Sequence, residues 1–289
     1  MIESVSGDAV TLAKLAIYVS VMALACLEDL RDREASDGYW AALGAAAVVF
    51  MILETPAFSV WRIAPIAGTA VILLYLLWPG EEDPVGPITL VAALVVLFVL
   101  PAYLAWDDPF VRGTLSVPVL FILFVAMYYV GAIKGGADVK CLIVTSMLFV
   151  TYPSVGPLPL IAAPSAALAA VFPFALATLF FAALFSLLPV PYVALRNLRR
   201  GDSGALRSFT GYYMPIAEAR EAHVWPLQNV VDGTVVWTRH PQEGECVYDA
   251  LEAAGAERVW VTPKIPFLVP ILAAAAFLVV VGNPFFLLA

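Results

Sequence analysis

Eight apolar stretches separated by shorter polar segments run along this 289-residue chain, at residues 12–27, 38–53, 63–78, 87–104, 115–130, 139–152, 160–195 and 265–288. A helix needs about 20 mostly apolar residues to cross a bilayer, and fewer where its ends are covered by protein. The pattern therefore predicts an all-α polytopic membrane protein of about eight transmembrane helices. The stretch from Val139 is short. The one from Leu160 is overlong and carries Pro164, Pro173, Pro189 and Pro191. Prolines at that density break a helix, so the prediction there is an interfacial or kinked lead-in followed by one span centred on residues 174–188.

Only the polar stretch 196–262 is long enough to fold outside the membrane. Val230-Val231-Asp232-Gly233-Thr234-Val235-Val236-Trp237 sets β-branched runs on either side of Asp-Gly. That dipeptide supplies the positive φ angles of a tight type I′ turn, so a β-hairpin is expected. A short helix is expected around 250–255. The chain thus divides into a membrane core (1–195), a small cytoplasmic α+β insert (196–262) and a last transmembrane helix (263–289).

Composition agrees with a membrane protein: 62% of residues are hydrophobic, 13% are charged, and the mean hydropathy is +0.92. Soluble domains carry about twice that share of charge. The net charge of −8 matters less than where the charges fall. With eight spans and Arg31 and Arg33 in the cytoplasm, twelve of the fifteen Lys and Arg residues lie inside. Arg62 and Arg112 fall in outer loops and Lys14 snorkels from an outer helix end. This arrangement puts both termini outside. Residues 1–9 hold two acids and no basic residue, so they lack the charged start of a cleaved signal peptide and the first span is expected to be retained. Cys26, Cys141 and Cys246 form no Cys-x-x-Cys pair, and His223 and His240 have no third ligand at metal spacing. No metal, cofactor or nucleic-acid partner is expected, only membrane lipid and a protein substrate.

The same topology brings two distant acids to one membrane face. Asp29 follows the first apolar stretch, and Asp138 sits in Lys134-Gly135-Gly136-Ala137-Asp138-Val139-Lys140, just before the sixth. Acids at a bilayer boundary are poor lipid-facing residues and good candidates for paired-carboxylate chemistry. Taken singly, each has a plainer reading. Asp29 pairs with Arg33 at i+4 spacing, and Asp138 caps the helix that begins at Val139. Asp37 is expected to cap the second helix.

Taken together, the residues carry a family resemblance. Asp29-Leu30-Arg31-Asp32-Arg33-Glu34-Ala35-Ser36-Asp37 resembles the first motif of type IV prepilin peptidases and archaeal preflagellin peptidases, an Asp with Arg four residues on and Asp eight on. Gly135-Gly136-Ala137-Asp138-Val139-Lys140 is similar to their second motif, GxGD followed by Lys, with Ala137 standing where the motif has its second Gly. Residues 259–267, Val-Trp-Val-Thr-Pro-Lys-Ile-Pro-Phe, resemble the end of the archaeal members. The resemblance implies a membrane aspartyl endopeptidase with Asp29 and Asp138 catalytic and Arg33, Asp37, Gly135, Gly136 and Lys140 supporting. It implies a substrate with a short basic leader and a hydrophobic helix, cut at the cytoplasmic face of the cell membrane. Methyltransferase activity is not expected, because the cysteine-rich domain that accompanies it in many bacterial members is missing. Gly135 and Gly136 are expected to let a substrate backbone approach Asp138. Acids at Glu28, Asp32, Glu34, Asp37 and residues 81–83 would attract a basic leader weakly. A proton-coupled secondary transporter and a broader presenilin-type intramembrane protease are the competing readings.

Overall fold

The computed structural model describes residues 2–55, 57–78, 86–200, 211–238, 245–264 and 266–288. The chain is mostly helical, 67% of it, with a small sheet region late in the sequence. In chain order the helices of the membrane-type unit are α1 (Ile2–Asp32), α2 (Asp37–Glu54), α3 (Val60–Leu77), α4 (Gly86–Leu94), α5 (Leu100–Leu104), α6 (Pro109–Thr114), α7 (Ser116–Tyr129), α8 (Gly136–Leu148), α9 (Ala166–Val171) and α10 (Phe174–Phe185). A π turn, Val95–Val99, joins α4 to α5. This unit covers residues 1–185 and 266–289.

All eight apolar stretches contain helix, but not eight helices of spanning length. Four qualify by length and composition among the described residues: Gly7–Asp32, Asp37–Glu54, Val60–Leu77 and Pro109–Tyr129. The expected spans 139–152 and 265–288 are each built on a helix of 13 residues, α8 and, at the end of the chain, Leu268–Val280. At 1.5 Å per residue, such a helix is about 20 Å long, well short of the hydrocarbon core. A tertiary contact stops the last one. The N–H groups of Leu160 and Ile161 donate to the carbonyls of Val280 and Val281. The backbone then turns at Gly282, φ 90°, where a Cβ would collide with the Ile161 carbonyl. Residues 284–287 follow as a single 3₁₀ turn.

The short α8 is the central helix. Val139 and every residue from Cys141 to Leu148 are buried. A helix apolar on all sides belongs inside a bundle, and α2, α7 and α10 pack around it. On its α1 side the Thr145 and Tyr18 hydroxyls lie 3.2 Å apart, and Cys141 Sγ is 3.4 Å from Met22 Sδ. Between helices in lipid there is little hydrophobic driving force, so close packing and such bonds, each worth about 0.6 kcal/mol, hold the helices together. Trp40, Leu43, Phe124, Met147 and Phe174 complete this core.

The second unit covers residues 186–265. It contains α11 (Pro189–Arg200), β1 (Tyr212–Pro215), α12 (Ile216–Glu221), β2 (Val224–Pro226), β3 (Gln228–Val231), β4 (Thr234–Trp237), α13 (Glu245–Ala253) and β5 (Arg258–Pro263), after which α14 (Leu268–Val280) returns to the first unit. The expected hairpin is β3–β4, closed by Asp232 and Gly233 at φ 50° and 74°. The expected short helix is α13, which ends ahead of Gly255 in a left-handed conformation. Two features go beyond the sequence reading. A three-stranded antiparallel sheet, ordered β1-β5-β2, packs with α12 and α13 around Ile216, Leu251, Val259 and Val261. The unit also begins ten residues before 196, taking in the amphipathic α11 that hydropathy assigns to the membrane core.

Candidate active site

Asp29 lies in the last turn of α1. The helix closes with Arg33 N–H donating to the Asp29 carbonyl at 3.1 Å, and Arg33 itself adopts φ 61°. A glycine normally occupies this left-handed position at a helix end. Ser36 then starts α2, its hydroxyl accepting the Gly38 N–H at 3.3 Å. Ser36, not Asp37, is therefore the cap, and Asp37 is free to reach across to α8. There Lys140 Nζ donates to Asp37 Oδ1 at 2.6 Å, tying the two motif-bearing segments together. Glu28 makes a second tie, accepting the Ser36 N–H at 3.2 Å and the Tyr39 hydroxyl.

Asp138 occupies the first turn of α8, whose N-cap is Gly135 with extended backbone, φ −83°. Asp138 is thus not the cap. Its carboxylate folds back over Gly135, and a Cβ at that position would collide with it. The expected role of the two glycines divides accordingly. Gly135 makes room for the acid of its own chain, whereas only Gly136 borders open space. Ala137 is an ordinary helical residue, so the departure from the Gly of the motif carries no strain.

The two carboxylates lie within electrostatic reach of each other. Asp29 has positive company that Asp138 lacks among the described residues: the Arg33 guanidinium, and the N–H of Leu268 at the start of α14, which donates to its carboxylate. Both acids are half-buried. Beneath them, Cys26 and Cys141 are buried packing residues. The arrangement can hold one proton between two carboxylates beside a cation, which is what general acid–base chemistry on an amide requires.

Among the residues that sequence reasoning singled out, Asp29, Arg33, Asp37, Gly135, Asp138 and Lys140 come together. Residues 81–83 and His240 lie outside the described residues. His223 is in the second unit, its carbonyl accepting the Lys264 N–H. No group of three His, Cys, Asp or Glu side chains is placed to hold a metal among the described residues. Sequence reasoning missed Leu268, and it read Glu28 as an acid for a basic leader and not as the acceptor of the Ser36 N–H. Leu268 is 239 positions from Asp29 and contributes only its backbone, which no side-chain pattern marks. Its one signal was the Pro-Phe that precedes it, a start of helix at the end of the third motif-like run.

A cavity of about 240 Å³ lies elsewhere, lined by Thr11, Lys14, Glu54, Phe110 and Tyr152 among others. Lys14 is fifteen residues from Asp29 on α1, about 22 Å along the helix axis, so the cavity is at the far end of the bundle. Its Lys14 and Glu54 satisfy each other at 2.6 Å, whereas no ion pair or hydrogen bond engages the Asp138 side chain among the described residues. The acid pair is the better candidate for chemistry. Neither a family model nor a curated protein sequence matches this chain.

Proposed function

We propose that this protein is a membrane aspartyl endopeptidase of the prepilin and preflagellin peptidase type, removing basic leaders from precursors at the cytoplasmic membrane face. The observation that carries the reading is that Asp29, in the last turn of α1, and Asp138, in the first turn of α8, lie within electrostatic reach of each other, with Arg33 acting on Asp29. Like charges within electrostatic reach oppose each other's ionisation, so one shared proton and one negative charge is the state that this reading requires of the pair. The positive neighbours are on the Asp29 side, which favours the charge there and the proton on Asp138. In the reaction the ionised carboxylate takes a proton from water as the water oxygen bonds to the scissile carbonyl carbon. The C–N bond then breaks, and the protonated partner gives its proton to the leaving amine. Water and the chain's own acids balance the reaction without ATP or a covalent intermediate.

The finer topology belongs to this reading. Eight membrane segments, four of spanning length and four shorter ones shielded by neighbours, would set both motifs at the cytoplasmic face with most of the Lys and Arg residues. A transporter reading draws support from the boundary acids alone. It leaves unexplained the Lys140–Asp37 tie and the matching of both motifs in order. Membranes carrying the protein should cleave a precursor with a basic leader. Asp29→Asn and Asp138→Asn should each lower the rate by about 10²–10⁴-fold, with the double variant no worse. A single variant of full activity would remove that residue from the mechanism.

A further inference from the structure

The helix α11 has two faces, and its own unit uses one of them. Val193, Ala194 and Asn197 are buried, and Asn197 Nδ2 donates to the Gly211 carbonyl at 2.6 Å, so this side packs within the second unit. Pro191, Leu195 and Arg199, spaced four apart, fall on the other side of a helix with 3.6 residues per turn, and all three are exposed. Leu187 and Leu188, in the turn just before the helix, are exposed at 57% and 72%, and Leu195 at 48%. The open side is thus apolar at its start, and the charge comes at its end, where Arg196, Arg199 and Arg200 fall in the last five residues. No Asp or Glu occurs between Asp138 and Asp202, so this helix carries +3 in a chain whose net charge is −8.

Chain connectivity says what meets that side. The apolar α10 ends at Phe185 and exposes Phe180 and Leu184, as a helix against lipid does. Four residue steps lead from Phe185 to Pro189, so α11 starts within about 14 Å of the end of α10 even if the link is fully extended. Leucines on the open side, arginines at the end and no acid are the pattern of a helix lying in the headgroup layer. The tether holds α11 at that layer before any soluble partner arrives. Resting on the membrane placement of the bundle and not on the peptidase reading, we propose that α11 lies on the membrane surface and binds acidic phospholipids. Leu188, Pro191 and Leu195 meet the acyl chains, and the arginine-rich last turn meets the headgroups, whose phosphate oxygens suit the guanidinium fork. This contact anchors the second unit to the bilayer.

The test uses the full-length protein with the exposed Cys246 changed to Ser, carrying one spin label at Leu195→Cys or, as a water-facing reference, at Ala253→Cys, an exposed position of α13. The proteins are placed in nanodiscs of phosphatidylcholine with phosphatidylglycerol, or of phosphatidylcholine alone. Relaxation of the label by oxygen, which concentrates in lipid, is compared with relaxation by a water-soluble nickel chelate. In the acidic nanodiscs the oxygen-to-nickel ratio at Leu195 should exceed that at Ala253 by about threefold or more. It should fall toward the Ala253 value when phosphatidylglycerol is left out, and in acidic nanodiscs when Arg196→Gln, Arg199→Gln and Arg200→Gln are combined. A Leu195 label as open to nickel as the Ala253 label would overturn the proposal. A label shielded from both reagents would show that protein covers this side, a second copy included, and would overturn it as well. A high ratio that falls in neither case would overturn the assignment to acidic lipid. Cleavage is not read in any of these arms, so the peptidase reading stands or falls apart from them.

Discussion

The two ends of the helix bundle treat charge in opposite ways. At the end holding the cavity, Lys14 meets Glu54 and Arg62 Nε meets Asp108 Oδ2, both at 2.6 Å. At the other end, two carboxylates lie within electrostatic reach of each other and an arginine keeps two buried donors unpaired among the described residues. Matched charges stabilise and orient helices. Mismatched ones cost stability, and are retained where they act on something else. The contrast separates a structural set of ionic residues from a chemical set within one bundle, where composition alone makes them look alike.

The contrast can be broken most forcefully at Gly135. Adding a methyl group there forces the Asp138 carboxylate to move without changing the identity of either acid. Gly135→Ala should therefore lose cleavage by about 10²-fold, because small displacements of a catalytic group carry costs of that order. Near-wild-type thermal stability with lost cleavage of the precursor peptide is the expected result. Full activity would show that the position of Asp138 is not critical.

A smaller effect is expected from the Lys140–Asp37 tie. The Lys140 side chain is 27% exposed and that of Asp37 is 58% exposed, so solvent screens the pair. Removing it by Lys140→Ala should lower stability by less than about 1 kcal/mol. Cleavage should drop a few-fold at most, through looser positioning of α8 against α2. Thermal melts and initial rates measured together would check both. A loss as large as that of Asp138→Asn would move Lys140 into the chemistry.

The least effect on cleavage, and a clear one on stability, is expected at Arg62 and Asp108. Desolvation pushes the Asp108 carboxyl up. The hydrogen bond from Arg62, joined by the N–H groups of Phe110 and Val111, outweighs it and holds the group below its ordinary value. The folded value is thus lower than the unfolded one. The pair's contribution is complete above the unfolded carboxylate value of about 3.9, and is lost as pH falls through the lower folded value. Asp108→Asn should flatten the acid side of the stability profile and leave the cleavage rate of the precursor peptide unchanged. Cleavage lost in this variant would blur the distinction between the two ends.

Much of the fold is legible from local signals. Asp232-Gly233 between β-branched runs places the hairpin to the residue, and the prolines at 164 and 173 separate the lead-in from α10. Helix lengths are less legible. The end of α14 depends on residues 160–161 bonding to 280–281, a pairing between two apolar runs that no periodicity reveals. The cap of α2 is ambiguous for a simpler reason: Ser36 and Asp37 are adjacent and both suit the position, and only Asp37 can reach Lys140. At the candidate site, the two acids could be picked out by their boundary positions and motifs. Arg33 read as a partner for Asp29 because spacing alone suggests an i+4 pair. Its left-handed backbone and unmatched donors emerge only when the helix end is built. Leu268 acts through its backbone and leaves no trace in side-chain chemistry.

The most direct measurement of the central claim is cleavage of a precursor peptide by purified protein in ¹⁸O-labelled water, followed by mass spectrometry of both products. If Asp29 and Asp138 activate water, wild type should place one ¹⁸O atom in the new carboxylate of the released leader and none in the mature product. Asp29→Asn and Asp138→Asn should yield no labelled leader above background. Labelled leader formed at the wild-type rate by either variant, or no cleavage by wild type, would contradict the account.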